Sequence, residues 1–111
     1  MDLRLHKQEN GYLLNGFIEG EVDTHTATIL KDKLELIVLS DGLIIELDLS
    51  KVTYMDSSGL GVLVAFYKKV IKENTSLIFI NPSAKLTRIF NITGLSQFID
   101  IEIRKDNNVG V

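Results

Sequence analysis

Two adjacent serines, Ser57 and Ser58, stand between an aspartate and a Gly-Leu-Gly sequence in residues 54–61, which read YMDSSGLG. The stretch lies where a predicted strand is followed by a predicted helix, and functional sites in α/β sheets favour the carboxyl ends of strands. We predict that Ser57 or Ser58 caps this helix, because a capping serine lies beside backbone N–H groups that have no partner within the helix. A hydroxyl in that position is exposed and open to modification.

Three catalytic or nucleotide-binding motifs can be tested on this stretch, and none fits. A nucleophile elbow needs Gly-x-Ser-x-Gly, but Asp56 occupies the first glycine position relative to Ser58. A dinucleotide fingerprint needs a third glycine where Val64 stands, and a phosphate loop needs Gly-Lys-Ser/Thr, which the sequence lacks. We therefore predict no catalytic residue and no cofactor. The structural alternative is a serine cap followed by small residues that allow close packing.

Composition excludes several other classes of function. The 111 residues include no cysteine, and the two histidines, His6 and His25, are far apart, so we expect no disulfide and no metal site. A net charge of −3 argues against nucleic acid and anionic membrane as partners, since both favour a basic face. No apolar run approaches the roughly 20 residues of a membrane span, and no signal peptide is visible. We expect a cytoplasmic protein.

The first elements along the chain are two strands and a helix. Leu3 and Leu5 lie on one face of an opening strand, Asn10-Gly11 marks a hairpin turn, and residues 12–18 form a second strand. Residues 20–23 break the strand pattern. Apolar spacing then predicts a helix over 24–39, with Asp23 or Thr24 as its N-cap.

Strands and helices alternate after that point, and Asp48 is expected to bond backbone near the end of a buried strand. The predicted elements are a strand over 43–49, a link over 50–56, a helix over 58–73, a strand over 76–80, a helix over 83–91, a turn over 95–98, and an edge strand with Ile101 and Ile103. Right-handed strand–helix–strand units imply parallel neighbours. The fold class is α/β: a small sandwich with a mixed sheet of four to five strands and three to four helices. It forms a single domain over 1–111, with a mobile tail over 106–111.

The sequence resembles the anti-sigma factor antagonists, which are bacterial proteins built on the STAS domain. The resemblance covers almost the whole chain and is carried by four stretches in family order: 20–23 (GEVD), 47–49 (LDL), 54–62 (YMDSSGLGV) and 86–95, which contains Phe90, Thr93, Gly94 and Leu95. It is closer to the stand-alone antagonists of general-stress and sporulation sigma factors than to STAS domains appended to anion transporters. The resemblance implies a STAS-like fold.

The resemblance also implies a partner-switching mechanism. The unphosphorylated antagonist binds an anti-sigma factor that is also a serine kinase, and this binding releases the sigma factor. The kinase phosphorylates the serine directly after the signature aspartate, here Ser57, with Ser58 as the alternative acceptor. A PP2C-type phosphatase restores the hydroxyl. The family favours a monomer that pairs with a kinase dimer.

The expected partner-binding surface surrounds that serine and consists of Asp23, His25, Asp56, Ser57, Ser58, Gly59, Leu60 and Gly61. Asp23 has a structural role as a helix cap and a functional role as an acidic neighbour of the phosphorylation site. The two glycines serve either close packing against the sheet or access of the kinase to Ser57. His25 borders the surface.

Phosphorylation adds about −1.5 to −2 charges at pH 7. We expect the phosphate to block the interface by charge and bulk, with no large conformational change, because a helix N-terminus tolerates an anion. Two alternatives remain open. One is a nucleotide- or phosphate-binding protein that uses Asp56, Ser57 and the helix N-terminus, and the other is a scaffold subunit of a stress-sensing complex.

Overall fold

The structure, a computed structural model, describes residues 1–104. Its elements are β1 (Asp2–Lys7), β2 (Leu13–Val22), α1 (Thr26–Glu35), β3 (Ile44–Met55), α2 (Ser57–Lys72), β4 (Ser76–Ile80), α3 (Ala84–Thr93), a 3₁₀ turn (Leu95–Gln97) and β5 (Asp100–Glu102). None of the helices in this part of the chain is long and apolar enough to span a membrane. The mobile tail predicted over 106–111 lies outside the described residues.

The five strands within residues 1–104 form one mixed sheet in the order β1-β2-β3-β4-β5. β1 pairs antiparallel with β2, and the other three pairings are parallel. Each helix connects two neighbouring parallel strands, and the right-handed rule places all three helices on the same face of the sheet. The predicted α/β class and mixed sheet are confirmed, with five strands and three α-helices in the described part of the chain.

The core fills the space between the helices and the inner face of the sheet. Strand residues alternate between the two faces, so buried Ile18, Leu47 and Phe79 point inward. The ring of Phe79 lies 5.2 Å from that of Phe90 on α3. The opposite side, called the outer face here, carries Phe17 and polar side chains of β2 and β3 that no helix covers.

Two strands are longer than the sequence predicted. β2 continues through residues 20–22, which we expected to break the strand, because Gly20 adopts φ +97° at a shift in the pairing with β3 and pairing then resumes. The predicted link over 50–56 is also wrong, since β3 extends to Met55. Asp48 therefore lies inside β3, where its carboxylate accepts hydrogen bonds from Ser50 N–H (2.9 Å) and Oγ (2.6 Å), as its predicted structural role requires.

Two elements are shorter than predicted. α1 ends at Glu35, because the N–H groups of Leu36 and Ile37 bond carbonyls three residues back and tighten the last turn. Ile37 is nevertheless buried in the core. The apolar pattern from which the helix was predicted therefore continues past the last helical residue. β5 ends at Glu102, so the predicted inclusion of Ile103 in the strand is wrong.

A polar network on the outer face connects the end of the described chain to the central strand. Arg104 donates through Nη1 and Nη2 to the two carboxylate oxygens of Glu46, at 2.9 and 2.5 Å. Asn15 on β2 donates to Glu46 at 3.0 Å. The side chain of Glu46 is only 10% exposed. These contacts hold the pKa of Glu46 below its ordinary range, chiefly through the Arg104 hydrogen bonds and against the opposing effect of burial.

Replacing Arg104 with alanine leaves a buried carboxylate without its cation. We expect Arg104→Ala to lower the free energy of unfolding by about 2 kcal/mol, because removing one partner of a buried pair is costly and the half-exposed arginine reduces that cost. Arg4→Ala is the matched control, since Arg4 pairs with Glu19 on the surface. It should cost less than about 1 kcal/mol in urea unfolding. Equal losses in the two variants would contradict this account.

The same pair predicts a pH dependence. A carboxyl group with a lowered pKa in the folded state contributes stability above its ordinary pKa of 4.5, and this contribution is lost as pH falls through the folded pKa. The difference in unfolding free energy between the wild type and Arg104→Ala should therefore be full at neutral pH and shrink below about pH 4.5. Unfolding curves across this range measure it, and a constant difference would refute the assignment.

Candidate functional site

Asp56, and neither serine, caps α2. Its Oδ1 accepts hydrogen bonds from the backbone N–H of Ser58 at 2.9 Å and of Gly59 at 3.3 Å. The prediction that Ser57 or Ser58 is the cap is wrong, because the helix begins at Ser57 and the residue before it is the one in extended conformation. Two of the N–H groups expected to be free beside the serines are therefore already bonded to a carboxylate.

The two serines differ in environment. Ser57 is exposed at the first position of α2, whereas Ser58 is half-buried. The Oγ of Ser58 lies 3.5 Å from the hydroxyl of Thr24, which belongs to the turn before α1. A partner or enzyme can thus reach the hydroxyl of Ser57 more readily than that of Ser58.

Asp23 organises that neighbouring turn. Its Oδ1 accepts from the N–H groups of His25 at 2.9 Å and Thr26 at 3.0 Å. The backbone hydrogen bond from Thr26 lowers the pKa of Asp23 most, partial burial opposes the shift, and His25 adds smaller lowering effects. Asp23 thus organises the turn before α1, but the helix itself begins at Thr26, two residues later than the predicted start at 24, and its N-cap residue is His25, so the prediction of Asp23 or Thr24 as the N-cap is wrong. Because its pKa is lowered, Asp23 is ionised at neutral pH.

The ends of β2 and β3 bring these two turns together. Val22 pairs with Met55, and the N–H of Asp56 donates to the carbonyl of Val22 at 3.2 Å. The turns that carry Asp23 and Ser57 follow directly on these adjacent strand ends. His25, which the sequence placed at the border of the surface, is exposed in the first of these turns.

The two glycines of α2 have different roles. A Cβ on Gly59 would lie 2.6 Å from Val22 Cγ1 and 3.0 Å from the Val22 carbonyl oxygen, so this position needs a glycine for close packing. A Cβ on Gly61 would meet no atom within 4 Å. Gly59 therefore has the structural role that we considered for both, whereas packing does not explain Gly61.

The apolar residues of α2 are only in part buried in the core. The buried residues are Gly59, Leu63, Phe66 and Val70. Among the apolar residues of α2 that remain partly or largely exposed, four lie on one side of the helix: Leu60, Val64, Tyr67 and Ile71. Their spacing of four, three and four residues is the signal of a second apolar stripe beside the buried one.

The arrangement presents the exposed hydroxyl of Ser57 at the first position of α2, directly after the capping carboxylate of Asp56. Among residues 1–104, no group of three His, Cys, Asp or Glu side chains is placed to hold a metal ion. An exposed serine of this kind can accept a phosphate, and the acidic residues around it determine the charge of the surface that a partner meets.

Comparison with known proteins agrees with this description. The family profile of the STAS domain matches residues 7–108. The anti-sigma-B factor antagonist of Bacillus subtilis is 38% identical over 109 residues, which are 98% of this chain and 97% of that protein. The anti-sigma-B factor antagonist of Listeria monocytogenes is 41% identical over 86 residues, covering 78% of this chain and 75% of its own.

Solved structures of SpoIIAA show the same fold. The phosphorylated form of this Bacillus cell fate determinant matches with a TM-score of 0.71 at 18% identity, over 97% of this chain and 96% of its own. The unphosphorylated form of the anti-sigma factor antagonist SpoIIAA matches with a TM-score of 0.69 at 18% identity, over 98% of this chain and 93% of its own.

The different roles of the two glycines can be tested by alanine substitution. We expect Gly59→Ala to lower the free energy of unfolding by roughly 1–3 kcal/mol, because the added methyl group clashes with backbone and side-chain atoms of Val22. Gly61→Ala should raise it by up to about 1 kcal/mol, because alanine favours a helix and has open space there. Chemical unfolding of both variants measures the difference. A similar effect of the two substitutions would contradict the close-packing role of Gly59.

Proposed function

The chain belongs to the STAS domain family, among the anti-sigma factor antagonists, and from this premise we propose that its unphosphorylated form binds an anti-sigma factor that is also a serine kinase. Binding releases the sigma factor, and phosphorylation of Ser57 ends the interaction. The protein acts as a regulatory binding module in the cytoplasm and not as an enzyme. The premise rests on a relative that is 38% identical over 98% of the chain.

The accessibility of Ser57 is the observation that carries the choice of acceptor. This residue is exposed at the first position of α2, directly after the signature aspartate. Ser58 is half-buried, and its hydroxyl faces that of Thr24. A kinase active site must surround the acceptor hydroxyl, so Ser57 is the better substrate and Ser58 has a structural role.

The charge around Ser57 explains how a phosphate would act. The N–H groups of Ser58 and Gly59 already bond Asp56, so a phosphate on Ser57 gains the helix dipole but competes with a carboxylate for these donors. The ionised Asp23 lies on the adjacent turn. The added charge therefore acts mainly on the partner. A loss of roughly 3 kcal/mol would weaken binding about 100-fold.

The proposed partner-binding surface contains both turns: Asp23, His25, Asp56, Ser57, Ser58, Gly59, Leu60 and Gly61. The open space at Gly61 supports its inclusion, because a bare helix surface allows a partner backbone to approach closely. A PP2C-type phosphatase removes the phosphate from Ser57. The antagonist itself is a monomer that pairs with the kinase dimer.

Phosphorylation by the anti-sigma factor of the source organism tests this proposal. After incubation with that kinase and ATP, mass spectrometry should locate a single phosphate on Ser57. Ser58→Ala should still be phosphorylated, whereas Ser57→Ala should not be. Calorimetric titration should show that Ser57→Ala binds the kinase like the wild type and that Ser57→Asp binds at least tenfold more weakly.

Two results would contradict the proposal. Phosphate found on neither serine would refute the switch, and equal affinities of Ser57→Ala and Ser57→Asp would refute the interface model. Thermal unfolding of each variant serves as the control for folding. Ser57 is exposed, so both substitutions should leave the unfolding temperature within a few degrees of the wild type.

A further inference from the structure

An apolar groove runs along α2 beside the proposed Ser57 surface. It is formed by Leu60, Val64, Tyr67 and Lys68 on one side and by Thr93, Leu95 and Phe98 on the other, and it has a volume of about 290 Å³. Its floor is formed by Leu60, Val64 and Tyr67 of the second apolar stripe of α2, which pack against the core and remain partly exposed in the groove. Phe98 is 66% exposed at its edge. Large apolar residues left on the surface in a contiguous patch are typical of interaction sites.

The groove is continuous with the surface around Ser57. Leu60 lies one helical turn after Ser57, and the stripe continues through Val64 and Tyr67 towards the far end of α2. A stable protein interface buries about 800 Å² on each partner. The two polar turns carry few apolar side chains, whereas the groove adds aliphatic and aromatic area beside them.

Charge along α2 changes sign from one end of the groove to the other. The near end is flanked by Asp56 and the adjacent turn with ionised Asp23, whereas Lys68 forms part of the far end and Lys72 follows one turn later. An occupant that fits must therefore carry apolar side chains along one face and acidic side chains at one end. An amphipathic helix has this pattern and docks into apolar grooves through residues spaced three and four apart.

We propose that this groove is the second half of the anti-sigma factor binding surface. The partner inserts the apolar face of an amphipathic helix between α2 and Phe98 and places an acidic residue against Lys68. This proposal rests on the function proposed above and identifies the contacts that give that interaction its affinity. Phosphorylation at the Ser57 end then controls whether the partner binds, and the contacts in the groove give the complex its affinity.

The groove and the outer face lie on opposite sides of the sheet, since the groove is formed by the helical layer. Arg104 is the last described residue, and Glu46 holds it on the outer face of the sheet, away from the groove. The outer face also provides matched controls. Phe17 is 42% exposed there, and Lys51 lies beside it.

Calorimetric titration of the anti-sigma factor of the source organism into unphosphorylated variants tests the proposal. We expect Phe98→Ser to weaken binding tenfold or more and Lys68→Glu to weaken it about fivefold. The control substitutions Phe17→Ser and Lys51→Glu should bind within twofold of the wild type. Lys68→Glu changes only an exposed charge, so it keeps the test valid if Phe98→Ser proves to be unfolded.

The outcomes separate this proposal from the function on which it rests. If Ser57→Asp loses binding while Phe98→Ser and Lys68→Glu bind like the wild type, the groove proposal is overturned and the switch stands. If the wild type does not bind the anti-sigma factor, both the groove proposal and the proposed function are refuted. Sedimentation of the wild type provides a further arm: a dimer that Phe98→Ser converts to monomer would assign the groove to a second copy and overturn the proposal.

Discussion

The first turn of α2 lies directly against the end of β2, and the position of the whole site depends on this contact. No side chain larger than a hydrogen fits at Gly59 without moving Val22. The hydrogen bond from the Asp56 N–H to the Val22 carbonyl fixes the same junction. Because Ser57 and Leu60 belong to that turn, the contact determines both where the hydroxyl is presented and where the apolar groove begins.

The same hydrogen-bonding arrangement of an aspartate occurs twice beside this junction. Asp56 and Asp23 each accept hydrogen bonds from the N–H groups two and three residues later, at the two adjacent helix starts. Both helix ends thus have an anion before any modification occurs. A phosphate on Ser57 gains little locally from the helix, so its charge is felt chiefly by whatever binds there. A change of surface charge is therefore sufficient to regulate binding, and the protein does not need to refold.

The sequence predicted the order of elements well, because turn residues and apolar periodicity are local signals, whereas the location of the site stays a prediction. It did not identify the cap, since the choice between Asp56 and Ser57 depends on the first residue to take helical geometry. Apolar spacing did not distinguish the buried stripe of α2 from the partly exposed one that contains Leu60 and Val64, because periodicity carries no information about neighbouring elements. The bond between Glu46 and Arg104 joins residues 58 positions apart, and no local pattern indicates such a pair.

In the proposed switch, phosphorylation of Ser57 changes the charge of the surface and leaves the fold intact. Amide hydrogen exchange of the Ser57-phosphorylated and unmodified proteins tests it most directly. The account predicts changes confined to the first turn of α2 and the turn around Asp23, with protection in the rest of α2 and in β3 unchanged. Loss of protection along α2 as a whole would show that the helix refolds and would contradict the account.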